Sequence, residues 1–461
     1  MRSSHSRARS VVALGLVVLL AGCGMSWEAR KSVELGWHYM SQNAVREALA
    51  SFRDAARHSP DSAEVQLALG EAAEILGEFD QALSAYQAAA RRSPSTKTWV
   101  RVGRMADRMG NVNLAVRALE AGYGTWRQHA WEATKMGAAT FGICTSSIWP
   151  AVWMMWTHCL PAANKNGGRA FDASREQVPQ EVFSILVEAG PRERALAFAR
   201  GRGWLRDGAD YCRPRDLPVS YETTGYLAML VHPERAACNV DFGTHIASDG
   251  AVNIGRIILS TQVAKASNPE DRKRAEWFLR YRLPDHQVPK IAESLNVTGY
   301  RLQHRLKRPV EAVEAFQKAI AADPMFSWPY NNIGLLYLNQ NDDEQALAWF
   351  TKAIEINPNH LRAIHNQGRA AHKLKRYDQA ATAYSRTIAI DPTYAEAHAN
   401  LGRVLIEAGR HTEGYRELQV AVSLDPSLEQ EQRFLNARFG RDARQGPTPY
   451  STRQRSPSAN T

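Results

Sequence analysis

Gly334, Gly368 and Gly402 stand 34 residues apart, and fixed offsets from them carry the side chains best suited to recognising a ligand. Around Gly334 these are Trp328, Asn331, Leu335, Leu338 and Asn339; around Gly368 they are Arg362, His365, Arg369, His372 and Lys373. Around Gly402 the same places hold Glu396, Arg403, Ile406 and Glu407. Arginine and lysine beside asparagine amides suit a carboxylate, because the guanidinium fork bonds it in two places and the amide adds a further donor. The expected ligand is an acidic peptide of a partner protein. The competing expectation is an ordinary solvated helix face, since the basic residues come mainly from one 34-residue segment.

Catalytic signals are poor. His158, His232 and His245 are scattered with Asp241 and Asp249, and there is no H-E-x-x-H, no G-x-S-x-G and no glycine-rich phosphate loop. No catalytic residue, metal site or cofactor is expected. Asp241 and His245 have helical spacing, but Gly243 between them points to a loop.

The groove residues need a scaffold that repeats with them. Pro324, Pro358, Pro392 and Pro426 keep the 34-residue step, as do Asn332, Asn366 and Asn400. Small and large apolar residues fall between them in phase: Ala346, Phe350 and Ala353, then Ala380, Tyr384 and Thr387, then Gly414, Leu418 and Ala421. The same phase runs through Gly36, Ala48, Phe52 and Pro60, and through Gly70, Ala82, Tyr86 and Pro94. A weaker copy follows at Gly103, Ala115 and Leu119, one residue short and without its proline.

This pattern resembles the tetratricopeptide repeat. The resemblance implies two antiparallel helices per repeat, stacked into an all-α solenoid whose first helices line a concave groove. Small residues are expected to let the two helices approach, and the large aromatic to fill the space between one repeat and the next. Two arrays are expected, over 23–127 and 289–430. Residues 128–288 read as a mostly helical middle region, composed of degenerate repeats or of a compact insert. Residues 431–461 read as a basic, disordered tail.

Residues 1–22 read as a leader, with Arg2, Arg7 and Arg9 before an apolar run from Val11 to Ala21. Its end, Leu20-Ala21-Gly22-Cys23, resembles the lipobox of bacterial lipoproteins. That resemblance implies lipidation of Cys23, and Gly24 after it implies the periplasmic face of the outer membrane. Four cysteines then remain in an oxidising setting, Cys144, Cys159, Cys212 and Cys238. Three pairings are open; 144 with 159 and 212 with 238 are favoured because both close short loops. Tryptophans crowd between Trp126 and Trp156, and the apolar run there is too short to span a bilayer.

Of the net charge of +10, the leader arginines and the tail from Arg433 onward supply +8. The body is close to neutral and lacks the basic footprint that nucleic acid needs. With 44% hydrophobic and 23% charged residues it can bury a large core. The reading is a lipid-anchored, protein-binding scaffold of the bacterial cell envelope. The alternative makes the middle region a catalytic or ligand-binding domain that the repeats recruit to partners.

Overall fold

The computed structural model describes residues 25–124, 179–188, 192–205, 221–231, 236–248, 251–266 and 268–428, with residues 433 and 437. Among these, every regular element is a helix. None is long and apolar enough to cross a membrane. The chain divides into two compact units, Met1–Ala199 and Arg200–Thr461.

The first unit contains helices α1 (Trp27–Ser41), α2 (Val45–His58), α3 (Ala63–Ile75), α4 (Phe79–Arg92) and α5 (Thr96–Arg108). Residues 112–124 form α6 and residues 179–188 form α7; α8 is Arg192–Gly201. The first helix of each repeat starts at a serine whose hydroxyl accepts a backbone N–H, Ser26 from Ala29, Ser62 from Val65 and Ser95 from Thr98. These bonds satisfy donors that the first helical turn leaves open.

The second unit opens with α9 (Tyr221–Val231), α10 (Ala236–Ser248), α11 (Val252–Lys265) and α12 (Pro269–Tyr281). Four helical pairs follow: α13 (Lys290–His304) with α14 (Pro309–Ala322), α15 (Ser327–Asn339) with α16 (Asp343–Ile356), α17 (Leu361–Lys373) with α18 (Tyr377–Ile390), and α19 (Ala395–Glu407) with α20 (His411–Leu424). Asn268 caps α12, its side chain accepting from the Glu270 N–H before Pro269 begins the helix.

Packing within a pair explains the repeating glycine. A Cβ on Gly334 would lie 2.6 Å from the Phe350 ring, and one on Gly70 would lie 2.5 Å from the Tyr86 ring. Each aromatic therefore seats against the glycine of its own repeat, which corrects the expectation that it fills the space between repeats. The ring leaves no room for a side-chain carbon on the facing helix, and only glycine supplies that. In the last pair Leu418 replaces the aromatic, and Gly402 and Gly414 approach each other's carbonyls.

The turns keep the period as well. Asn43, Gly77 and Gly110 in the first unit, and Lys307, Asn341, Lys375 and Gly409 in the second, all have positive φ. They follow the first helix of each pair, where a left-handed residue ends the helix. At the other end of each repeat the residue before proline closes an Asx turn: Asp323 accepts from the Met325 N–H, Asn357 from Asn359, Asp391 from Thr393 and Asp425 from Ser427. A residue before proline is pushed from helical to extended backbone, so the Asp/Asn-Pro step ends the second helix.

Gly243 does not mark a loop; it lies inside α10. A Cβ there would meet Ile258 at 2.9 Å and Leu259 at 3.0 Å, so the glycine serves close packing of α10 on α11. Gly225 on α9 meets the Phe242 ring in the same way as the array glycines meet theirs. Val240, Ala247, Leu259, Ala275 and Phe278 from α10, α11 and α12 share one core with Val288, Ala292 and Phe326, which belong to the start of the following pairs. Helices α10 to α12 are thus continuous with the C-terminal repeats through apolar packing.

Candidate functional site

The inner face of the second unit is built by α13, α15, α17 and α19, and asparagines join one helix to the next. Arg369 donates to Asn366 Oδ1 at 3.1 Å, and Asn366 Nδ2 donates to Asn331 Oδ1 at 3.0 Å. Asn331 Nδ2 donates in turn to Asn332 Oδ1 at 3.4 Å, and Asn332 Nδ2 to Asn296 Oδ1 at 2.9 Å. Because a guanidinium can only donate, Arg369 forces the oxygen of Asn366 toward itself and thereby orients each amide after it. The chain of donors crosses three repeats in one direction.

The next link is separate. Arg403 points an N–H at Asn400 Oδ1 at 3.5 Å, while Asn400 Nδ2 lies 3.2 Å from His365 Nε2. The amide nitrogen donates, so Nε2 accepts and the His365 proton sits on Nδ1. His365 is 3% exposed, packed between Tyr384 and Tyr394 with ring centroids 5.5 Å and 5.1 Å away. Burial, reinforced by Arg369, pulls its pKa down to about 3. It is a neutral structural imidazole and does not line an open groove.

Two more of the sequence-predicted residues are engaged elsewhere. Lys373 Nζ donates to the Leu338 carbonyl at 3.3 Å, to Asn341 Oδ1 at 2.9 Å and to Asp343 Oδ1 at 3.0 Å, tying α17 to the preceding turn. His372 Nε2 lies 3.1 Å from Glu407. Neither joins the others.

Trp328, Asn331 and Arg362 do come together. They line a pocket of about 110 Å³ with Asn332 and His360 from the array, and with Trp277, Phe278, Tyr281, Arg282 and Leu283 from α12 and the residues after it. The α12 side was not read as a site from the sequence. The only signal is the aromatic and basic run Trp277-Phe-Leu-Arg-Tyr-Arg282 just before the repeats. Trp277 Nε1 donates to the Ile390 carbonyl at 3.3 Å, which holds α12 along the loops that open α15, α17 and α19. His286 extends this seam through a 2.8 Å bond to Asp323.

The pocket is electropositive. The Arg282 guanidinium stacks over Trp277, 5.5 Å from the ring centroid, and burial together with neighbouring Arg362 pushes its pKa below the ordinary value. His360 is 4% exposed, and its Nδ1 has no hydrogen-bond partner. Burial first, then Arg362 and Arg282, hold its pKa at about 3, so it is neutral.

In the first unit Glu71 and Glu74 of α3 are already paired. Arg101 bridges Glu71 at 2.9 Å and Glu74 at 3.3 Å, Arg108 reaches Glu74 at 2.8 Å, and the Tyr86 hydroxyl donates to Glu74 at 2.6 Å. Among the described residues no group of His, Cys, Asp and Glu has the arrangement of a metal site. Cys23, Cys144, Cys159 and Cys212, the Trp126–Trp156 segment and the leader lie outside the described residues. Cys238 falls within α10, but its side chain lies outside them too. A disulfide-bearing middle region therefore has no structural support.

These paired helices, with their in-phase glycines, turns and inner-face asparagines, define a helical repeat protein. Tetratricopeptide-repeat family models match residues 33–96 and 327–360, and a TPR repeat model matches residues 368–409. The chain is a tetratricopeptide-repeat protein, and such repeats imply protein or peptide partners. Solved structures similar to it include MamA 41-end from Desulfovibrio magneticus RS-1, with 25% identity, 33% of this chain and 89% of that chain covered, and a TM-score of 0.31. Another is YrrB, described as a TPR protein with an unusual peptide-binding site, at 17% identity, 46% and 96% coverage and a TM-score of 0.29. No curated protein matches the chain.

Proposed function

We propose that this protein is a lipid-anchored, non-catalytic scaffold of the bacterial cell envelope that holds partner proteins through segments laid along the inner face of its C-terminal repeats. The observation that carries the binding part is the directed amide chain from Arg369 to Asn296. Asn296, Asn331 and Asn366 are themselves buried, so the chain acts by fixing the half-buried Arg369 in orientation before a partner arrives, and a side chain so fixed loses little further freedom on binding. Trp328 and Arg362 stand at the same face and add an apolar and a cationic contact. The anchoring part rests on the leader and Cys23, and Gly24 favours the outer membrane.

Two experiments test the two parts. Radiolabelled palmitate should enter the wild-type protein and not Cys23→Ser, with the variant released from membranes; equal labelling removes the anchor. Cross-linked partners of the full-length protein should disappear from the Arg362→Glu/Arg369→Glu variant. An unchanged partner set places recognition elsewhere.

A further inference from the structure

We propose that the pocket between α12 and the entrance turns of α15 and α17 binds a carboxylate carried on a small apolar or single-ring group, with Arg282 and Arg362 as its two cationic walls. The two guanidiniums come from positions 80 residues apart and line the same pocket. Among the described residues neither is hydrogen-bonded to an acidic side chain, whereas Arg53, Arg92, Arg101, Arg376 and Arg410 each hold one. Arg362 disfavours the charge on Arg282 more than the Asp391 carboxylate favours it, and a ligand carrying a further negative charge relieves the repulsion between the two guanidiniums.

The remaining lining says which anion. Trp277 and Trp328 give the pocket aromatic walls, so the ligand carries apolar matter beside its charge. The Asn331 amide lies on the same lining, and the buried, unpartnered Nδ1 of His360 belongs to a side chain that lines it. Two forks and few further donors suit the planar, two-oxygen carboxylate better than a phosphate with its three terminal oxygens. At about 110 Å³ the pocket is smaller than the roughly 150 Å³ closed cavity that admits benzene, so it takes the carboxylate and part of its apolar group, with the remainder outside beside the exposed Arg362. A carboxylate with a small side chain fits, and a nucleotide does not.

This chemistry has two sources, the C-terminal residue of a bound peptide or a free small acid. The first source rests on the partner-binding reading above; the pocket's preference for carboxylate does not.

The test is calorimetric titration of the purified full chain with four probes: N-acetyl-phenylalanine, its C-terminal amide, benzoate and inorganic phosphate. The carboxylates should bind, the amide at least tenfold more weakly, and affinity should fall with added salt. Arg282→Gln and Arg362→Gln should each weaken carboxylate binding at least tenfold. Arg362 is exposed on the first turn of α17, so its variant carries the test if Arg282→Gln folds poorly. Equal binding of acid and amide, tighter binding of phosphate, no heat with any probe, or an indifferent Arg362→Gln overturns the proposal. Preference for N-acetyl-phenylalanine over benzoate assigns the site to a peptide C-terminus; the reverse assigns it to a free acid, leaving the pocket standing and the peptide reading to its own cross-linking test.

Discussion

The indole N–H of Trp277 donates to the carbonyl of Ile390 across 113 residues of sequence, joining a helix outside the repeats to the turn before the last repeat. Helix α12 is thereby fixed along the edge of the inner face and contributes Trp277, Phe278 and Tyr281 to the pocket there. Trp277→Phe keeps the ring and removes the donor, and should cost about 1 kcal/mol, the usual net worth of such a bond. Trp277→Ala removes the packing too and should cost about 2 to 3 kcal/mol. Urea denaturation measures both, and amide exchange in α12 should accelerate before exchange in α17. If Trp277→Ala leaves α12 as protected as in the wild type, the indole does not hold the helix.

The glycine–aromatic pair should be intolerant of a single methyl. Gly334→Ala places a carbon 2.6 Å from the rigid Phe350 ring, and overpacking of this kind costs about 1 to 3 kcal/mol. Phe350→Leu made together with it should recover part of the loss, because the branched chain can move aside. A double-mutant cycle measures the coupling. Strict additivity of the two losses removes the packing argument.

The direction of the amide chain gives a sharper prediction. Asn366→Asp preserves size but removes the donor that reaches Asn331, setting a carboxylate oxygen against a buried carbonyl oxygen. An expected loss of about 2 kcal/mol follows from the unsatisfied pair. Asn366→Asp should lose less at low pH, where the protonated acid can donate again. A variant as stable as wild type at pH 7 means that the asparagine orientations are not those Arg369 imposes.

Much of this fold was legible because one packing unit repeats. The 34-residue step of Gly334, Phe350 and Pro358 reports a helix approach, its filler and its Asx-proline stop, and each is local to one repeat. The candidate site was legible only where it lay on that period, at Trp328, Asn331 and Arg362. Trp277 and Arg282 were missed because tertiary packing alone brings α12 to the array. Lys373 read as a ligand group because its three oxygen partners lie 30 to 35 residues upstream, and no helix-phase argument sees them. His365 shares the offset of Asn331 from its glycine but is sealed by Tyr384 and Tyr394, and phase does not report what covers a face.

The period of the turns was missed for a related reason. Four of them carry asparagine or lysine at positive φ, so composition hides a shared backbone state. Lys375 is exposed at φ 58°, where a non-glycine side chain costs roughly 1 kcal/mol. Lys375→Gly should therefore raise stability by a few tenths to about 1 kcal/mol, despite glycine's looser unfolded state. A lowered melting temperature would show that the lysine is worth more at this turn than its strain.

Acid should loosen the second unit through its buried histidines. His360 and His365 are held at about 3 in the fold, by burial first and then by nearby arginines, against about 6.5 in an unfolded chain. Between those values the unfolded state binds protons that the folded state refuses, so stability is full above pH 6.5 and falls as pH drops. Each histidine contributes a slope of up to roughly 1.4 kcal/mol per pH unit. His286 acts in the opposite sense. Burial alone would lower its pKa, but bonds to Asp323 and Asp285 raise it, so its contribution is present below pH 6.5 and lost as pH rises through its folded value. Urea midpoints at pH 6.5, 5.8 and 5.0, above the range where most carboxylates titrate, report on the histidines, and the double variant separates the buried pair from His304, whose pKa burial and Lys307 also lower. His360→Gln/His365→Gln should flatten the fall over that window and leave the alkaline limb unchanged. An equally steep fall in the double variant would assign the acid sensitivity to other groups and place both imidazoles in contact with water.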